Sequence, residues 1–226
     1  MGNYCVRNGV VADMTHASTR VQFWVDPACP FCWTTARWLV DEVLPHRQLE
    51  VTWQPISLLW KNDPPVDSPY YEASHFTHRL LRVMESVRTT DGDRGVLRIY
   101  REFGARIHHD GVRPFDPADA LTEVGLDTKH AAAFDDERWD EEIRSRMDEG
   151  LELVGTDVGT PIIAIERADG SWGGYFGPVI TGVPSSDKSL RLWDALVEMT
   201  AIDEFFELKR TRTHAPNPGD RPNPID

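Results

Sequence analysis

Cys29 and Cys32 stand two residues apart in the stretch Asp26-Pro27-Ala28-Cys29-Pro30-Phe31-Cys32-Trp33, and Cys5 is the third and last cysteine. Two thiols at this spacing can exchange with a disulfide, because a thiolate attacks sulfur and a second thiol within one helical turn can displace the product. Pro30 suits the first position of a helix, where its missing N–H costs nothing, which makes Cys29 the N-cap. A helix start offers unsatisfied amide N–H groups and a partial positive charge, both of which favour a thiolate. The expectation is therefore an exposed nucleophile at Cys29 and a buried resolving thiol at Cys32. Two rival readings remain at this point. Zinc would need further ligands, drawn from Cys5 and from His75, His78, His108 or His109. Otherwise two cysteines simply share the core, as free cysteines commonly do.

The elements around the pair must place it at the end of a strand. Arg20–Val25 is rich in β-branched and aromatic residues and reads as a strand ended by Asp26-Pro27. Trp33, Ala36, Leu39/Val40 and Val43/Leu44 recur at helical steps until Pro45. Leu49–Pro55 alternates as a second strand. Strand, helix, strand predicts a parallel pair with a right-handed crossover.

A long helical block follows, expected over 69–155, with a break at Asp91-Gly92-Asp93, a stop at Gly104, and Asp116-Pro117 opening a short helix. The histidine pairs fall in this block and read as helix-surface or insert-core residues. Lys61, Asn62, Tyr70 and Tyr71 lie where the block meets the strands and read as cleft lining or loop surface. Ile162–Ile165 and Gly173–Phe176 then form a hairpin around Asp169-Gly170, and a last helix runs from about Ser185. Residues 1–18 are expected to be a loose arm. Residues 211–226, with Pro216, Pro218, Pro222 and Pro224, are expected to be disordered. Thr160-Pro161 sits just before a buried strand, and proline there is awkward in a central strand. Locally, a trans bond is the default, since only about one X–Pro bond in twenty is cis.

The charge balance of 24 basic against 37 acidic residues gives −13, with 20 of the cations Arg and four Lys. Such a chain lacks the basic footprint of a nucleic-acid binder and is repelled by anionic membranes. No run is long enough for a transmembrane helix, and Met1–Arg20 has no apolar signal core. The expectation is a cytoplasmic protein, where a close cysteine pair is more often catalytic than structural.

The combination of a strand, Cys29-Pro30-Phe31-Cys32, a helix, a strand, a helical insert, Gly159-Thr160-Pro161, a hairpin and a final helix resembles the DsbA family of thioredoxin-like proteins over about Arg20–Arg210. Asp26-Pro27, Trp33, Phe103-Gly104-Ala105-Arg106, Gly177-Pro178-Val179 and Phe205–Lys209 are similar to an actinobacterial branch that includes mycothiol-dependent nitroreductases. The resemblance implies an α/β thioredoxin-like fold over 19–68 and 156–210 with the helical insertion between. It implies a cis proline at Pro161 and a substrate surface built from Pro30, Phe31, Thr160 and Pro161. It also implies mycothiol as the thiol co-substrate with no tightly bound cofactor, and a small aromatic or disulfide substrate; a homodimer is left open. Where that branch carries Trp between the cysteines, this chain has Phe31, which keeps an aromatic face and loses the indole donor. Two further functions share the features. A glutathione-S-transferase-kappa or chromene-carboxylate-isomerase type of enzyme has a hydroxyl where Cys29 stands. A non-catalytic zinc- or thiol-holding chaperone would use the same thiols without turnover.

Overall fold

The computed structural model describes residues 18–225. Four strands form one mixed sheet in the order β2-β1-β3-β4: β1 Thr19–Val25, β2 Leu49–Pro55, β3 Ile162–Glu166 and β4 Trp172–Phe176. β1 pairs parallel with β2, in register Val21 to Val51, and antiparallel with β3, Phe23 to Ile163. The parallel pair is joined by α1, Pro30–Arg37, whose helix continues in a wider π turn over Trp38–Val43. This is the crossover that the strand, helix, strand order requires.

Side-chain alternation sorts the central strands onto two faces. Val21, Phe23, Val25, Ile163 and Ile165 join the main core with Trp33, Leu39, Tyr100, Phe103 and Trp193. Trp24, Ile162 and Ala164 point the other way, onto Met147 and Ile56. The helix covering that second face is α5, Asp140–Val154. A Cβ on Gly150 would meet the Trp24 indole at 2.7 Å, and the indole N–H donates to the Arg146 carbonyl at 2.7 Å. The last helix of the insertion is thus also a layer of the sheet domain.

Between β2 and α5 lie the short α2, Leu58–Asn62, then α3, Tyr71–His108, and α4, Pro117–Glu123, followed by 3₁₀ turns over Thr128–Asp135 and Glu137–Trp139. The expected break at Asp91-Gly92-Asp93 is present as a kink: Gly92 takes φ 60, ψ −161, a conformation open to glycine alone. The expected stop at Gly104 is corrected. The helix runs on to His108, and Gly104 is there because Trp33 lies against it, 2.3 Å from where a Cβ would be. The final helix, α6 Ser186–Thr200, packs Trp193 against Trp38 at 6.2 Å between ring centroids.

The tail after Arg210 has no helix or strand, in keeping with its prolines, but it departs from the disorder expected of it. Arg37 donates to the carbonyls of Pro218 and Asp220, and Arg221 pairs with Asp110 at 2.9 Å. Asn217 N–H donates to Thr181 O at 2.8 Å. Prolines forbid a ladder, and arginine side chains fix the backbone carbonyls instead. The expected loose arm falls almost wholly outside the described residues, as does Cys5.

Candidate active site

Cys29 caps α1 as the sequence expects. It has extended backbone angles, φ −81 and ψ 113, and its sulfur accepts from the Cys32 N–H at 3.3 Å. Both Cys29 and Cys32 are free thiols. The expectation of an exposed nucleophile is corrected: Cys29 is only 6% exposed and Cys32 0%. The cause is the opposite wall, where Thr160 stands across the sulfur and its carbonyl accepts from the thiol at 3.8 Å. Thr160-Pro161 is cis, as the family resemblance implies and the local default does not. β3 pairs with the strand that ends just before the dithiol, and this brings residue 160 next to residue 29.

The two thiols are driven apart electrostatically. Hydrogen bonding from Cys32 holds the Cys29 thiol below its ordinary value, helped by the Thr160 hydroxyl and by the Cys32 and Phe31 amides, against the opposing effect of burial. Burial raises Cys32 well above the usual range, and the neighbouring Cys29 adds to it. The surroundings thus favour the thiolate at Cys29 and the protonated thiol at Cys32.

Three residues near the pair take parts that the sequence reading did not give them. Asp26 is fully buried, and its two carboxylate oxygens accept from the Ala28 and Leu58 amides, each at 2.8 Å. It locks the loop ahead of Cys29 to the start of α2. Desolvation pushes its carboxyl up to about 6, despite those two amides and Thr77.

His108 and His109, expected on a helix surface or in the insert core, end α3 directly against Trp33. The Trp33 indole stacks on His108 at 5.9 Å and donates to His109 Nε2 at 3.0 Å. The donor is the indole, so His109 Nε2 must be unprotonated. His108 Nε2 lies 2.9 Å from the Pro27 carbonyl, which can only accept, so this nitrogen carries a proton. Burial lowers both imidazoles, His108 to about 4, so both are neutral at pH 7. Both imidazoles pack on Trp33, the residue after Cys32, and His108 also holds the Pro27 peptide two residues before Cys29. Gly104, inside a helix and among aromatic residues, was the available signal that a large ring packs here.

A cavity of about 360 Å³ opens beside the pair, lined by Ala28, Pro30, Ile107, His108, Gly111 and Arg113. Pro30 is exposed and Phe31 half-buried, and the Arg212 guanidinium lies 5.0 Å from the Phe31 ring centroid. On the far side, Thr35 donates to Pro178 O at 2.8 Å, tying α1 to the loop after the hairpin.

The other candidates fall elsewhere. His78 is held by Ser57 at 3.0 Å and by Asp140 at 3.1 Å within the insertion. His75 stacks on Tyr71 at 5.8 Å, Lys61 donates to Thr156 O at 2.9 Å, and Tyr70 is 72% exposed. Among the described residues, no group of three or more His, Cys, Asp or Glu is placed to hold a metal, and no helix is long and apolar enough to cross a membrane.

A family model described as the mycothiol-dependent nitroreductase Rv2466c matches residues 28–210. The chain belongs to that family. The match takes in the dithiol, the helical insertion and Thr160-Pro161, and it ends before Arg212. The protein Rv2286c of Mycobacterium tuberculosis, of uncharacterized function, is 28% identical over 202 residues, covering 87% of this chain and 84% of its own. Among solved structures, the probable DsbA oxidoreductase SCO1869 of Streptomyces coelicolor superposes with a TM-score of 0.53 at 19% identity, over 92% of this chain and 100% of that one. DsbA2 of Pseudomonas aeruginosa gives 0.52 at 18% identity, over 80% and 90%. These likenesses establish the thioredoxin-like fold with its helical insertion. Membership of the family makes the protein an oxidoreductase, and these likenesses give it the DsbA-like fold.

Proposed function

We propose that Cys29 is the nucleophile and Cys32 the resolving thiol of a cytoplasmic, mycothiol-fed reductase acting on small disulfide or aromatic substrates. The observation that carries this reading is the split between the thiols: one capped by amides and hydroxyl and lowered, the other sealed in the core and raised. The Cys29 thiolate attacks one sulfur of a substrate disulfide and expels the other half as a thiolate. Cys32 then gives up its proton and attacks the Cys29 sulfur, releasing the second half and closing the Cys29–Cys32 disulfide. Two molecules of mycothiol reduce that bond and leave as mycothiol disulfide. Each cycle therefore delivers two electrons and two protons, which would also convert a nitro group to a nitroso group plus water. Pro30 and Phe31, which follow Cys29 in the chain, and Thr160, whose carbonyl meets its sulfur, are with Pro161 the proposed contact surface. Membership of a family named for mycothiol supports the choice of thiol. It also supports a cytoplasmic setting, since such a thiol acts in a reducing compartment.

The test is trapping. Cys32→Ser exposed to mycothiol disulfide should retain one mycothiol on Cys29, seen as an intact-mass increment that dithiothreitol removes. Cys29→Ser should retain none at the dithiol and show no turnover. Turnover of any disulfide by Cys29→Ser would refute the assignment.

A further inference from the structure

In a chain of net charge −13, two cations stand against the residues that flank Cys29. Arg113 lines the cavity that also holds Ala28, Pro30 and His108. Arg212, from the tail, lies over the ring of Phe31, the residue between Pro30 and Cys32. Both are exposed, and among the described residues neither has a carboxylate partner. Other arginines of this neighbourhood do have partners: Arg37 and Arg101 with Asp41, Arg106 with Glu102, and Arg221 with Asp110.

The position of Arg212 is not incidental to a loose end. Asn217 N–H is bonded to Thr181 O, and Arg37 holds the carbonyls of Pro218 and Asp220, so the chain is fixed a few residues beyond Arg212. The tail acts as a strap that brings one guanidinium to the ring between the two cysteines.

We infer that Arg113 and Arg212 form a cationic mouth over the dithiol that selects substrates carrying a carboxylate or another anionic group, with the 211–225 strap as a part of the substrate site. The inference rests on Cys29 being the attacking sulfur. A planar guanidinium suits a carboxylate geometrically and cannot lose its proton near neutrality. It adds attraction on approach rather than chemistry, so its signature is a rate of encounter that depends on substrate charge and on salt.

The experiment uses the reduced full-length chain in a Cys5→Ser background, so that the dithiol supplies the only thiols. Single-turnover rate constants are measured by stopped flow with two aromatic disulfides: dithiobis(nitrobenzoate), which carries two carboxylates, and dithiodipyridine, which is neutral. Each reaction oxidises one dithiol and releases two aromatic thiol(ate)s. The readout is the ratio of the anionic to the neutral rate constant. That ratio should fall about threefold to tenfold in Arg212→Ala and in Arg113→Ala, the range expected for losing one exposed charge partner. Arg212→Lys should keep most of it. Salt at about 1 M, where the Debye length is about 3 Å, should flatten the wild-type ratio towards that of the double variant. An unchanged ratio in both variants, or a ratio that ignores salt, overturns the inference. Failure of the unaltered dithiol to react with either probe would instead overturn the assignment of Cys29.

Discussion

At neutral pH the Asp26 carboxylate is ionised in a place that disfavours its charge. Its carboxyl ionises at about 6 in the folded chain against an ordinary 3.8. The native state therefore holds a proton that the unfolded chain has already lost between those values, and stability falls as pH rises through that window. At about 1.36 kcal/mol per pH unit the total is about 3 kcal/mol, present as a penalty above pH 6 and absent below pH 4. Asp26→Asn removes the ionisation. It also removes one of the two acceptors, because the amide offers a single oxygen to the Ala28 and Leu58 N–H groups, and this costs about 1–3 kcal/mol at every pH. The two effects separate by their pH dependence. Urea unfolding of both proteins from about pH 4 to about pH 7 should show the variant gaining on the wild type by about 3 kcal/mol across the range, whatever their offset at the acid end. A wild-type-minus-variant difference that stays flat across this window would falsify the claim that burial, rather than the two amides, dominates this carboxyl.

Gly104→Ala sets two known effects against each other. Alanine in a helix gains about 1 kcal/mol over glycine, but its Cβ would lie 2.3 Å from the Trp33 ring, an overpacking that costs about 1–3 kcal/mol or more. The variant should be less stable by denaturant midpoint and slower in single-turnover disulfide reduction; a stabilised variant would show that Trp33 does not sit there. Arg37→Ala should free the tail, and because two backbone acceptors are lost at about 1 kcal/mol each, trypsin should cut near Arg212 roughly tenfold faster or more, with unchanged cutting marking the strap as unattached. The Cys29 alkylation rate against pH should level off below the ordinary thiol value of about 8.5, while Cys32, raised by burial, stays unmodified at neutral pH; equal labelling of both thiols would contradict the split between them.

The features readable from residue order are those whose causes are local. Pro30 behind Cys29 sets the helix start, the Arg20–Val25 and Leu49–Pro55 patterns set the parallel pair, and Gly92 between two aspartates marks the kink. Each depends on neighbours within one turn or one strand. Gly104 was misread for the same reason: taken locally, a glycine ends a helix, whereas here it makes room for a ring 71 positions earlier in the chain. His108 and His109 carry no periodic mark that separates a site from a surface, and they join Trp33 only because the second half of α3 turns back after Gly92. Asp26 reads as a strand terminator until the sheet and α2 close over it and remove its water. The proline-rich tail has no periodicity at all, and its place depends on Arg37 and Asp110, each more than a hundred residues away. Thus the dithiol and the helix that Cys29 caps were determined by sequence, and the proposed order of attack follows from that cap. What surrounds the sulfurs was decided by tertiary structure, because desolvation and long-range hydrogen bonds exist only once distant segments share the same space.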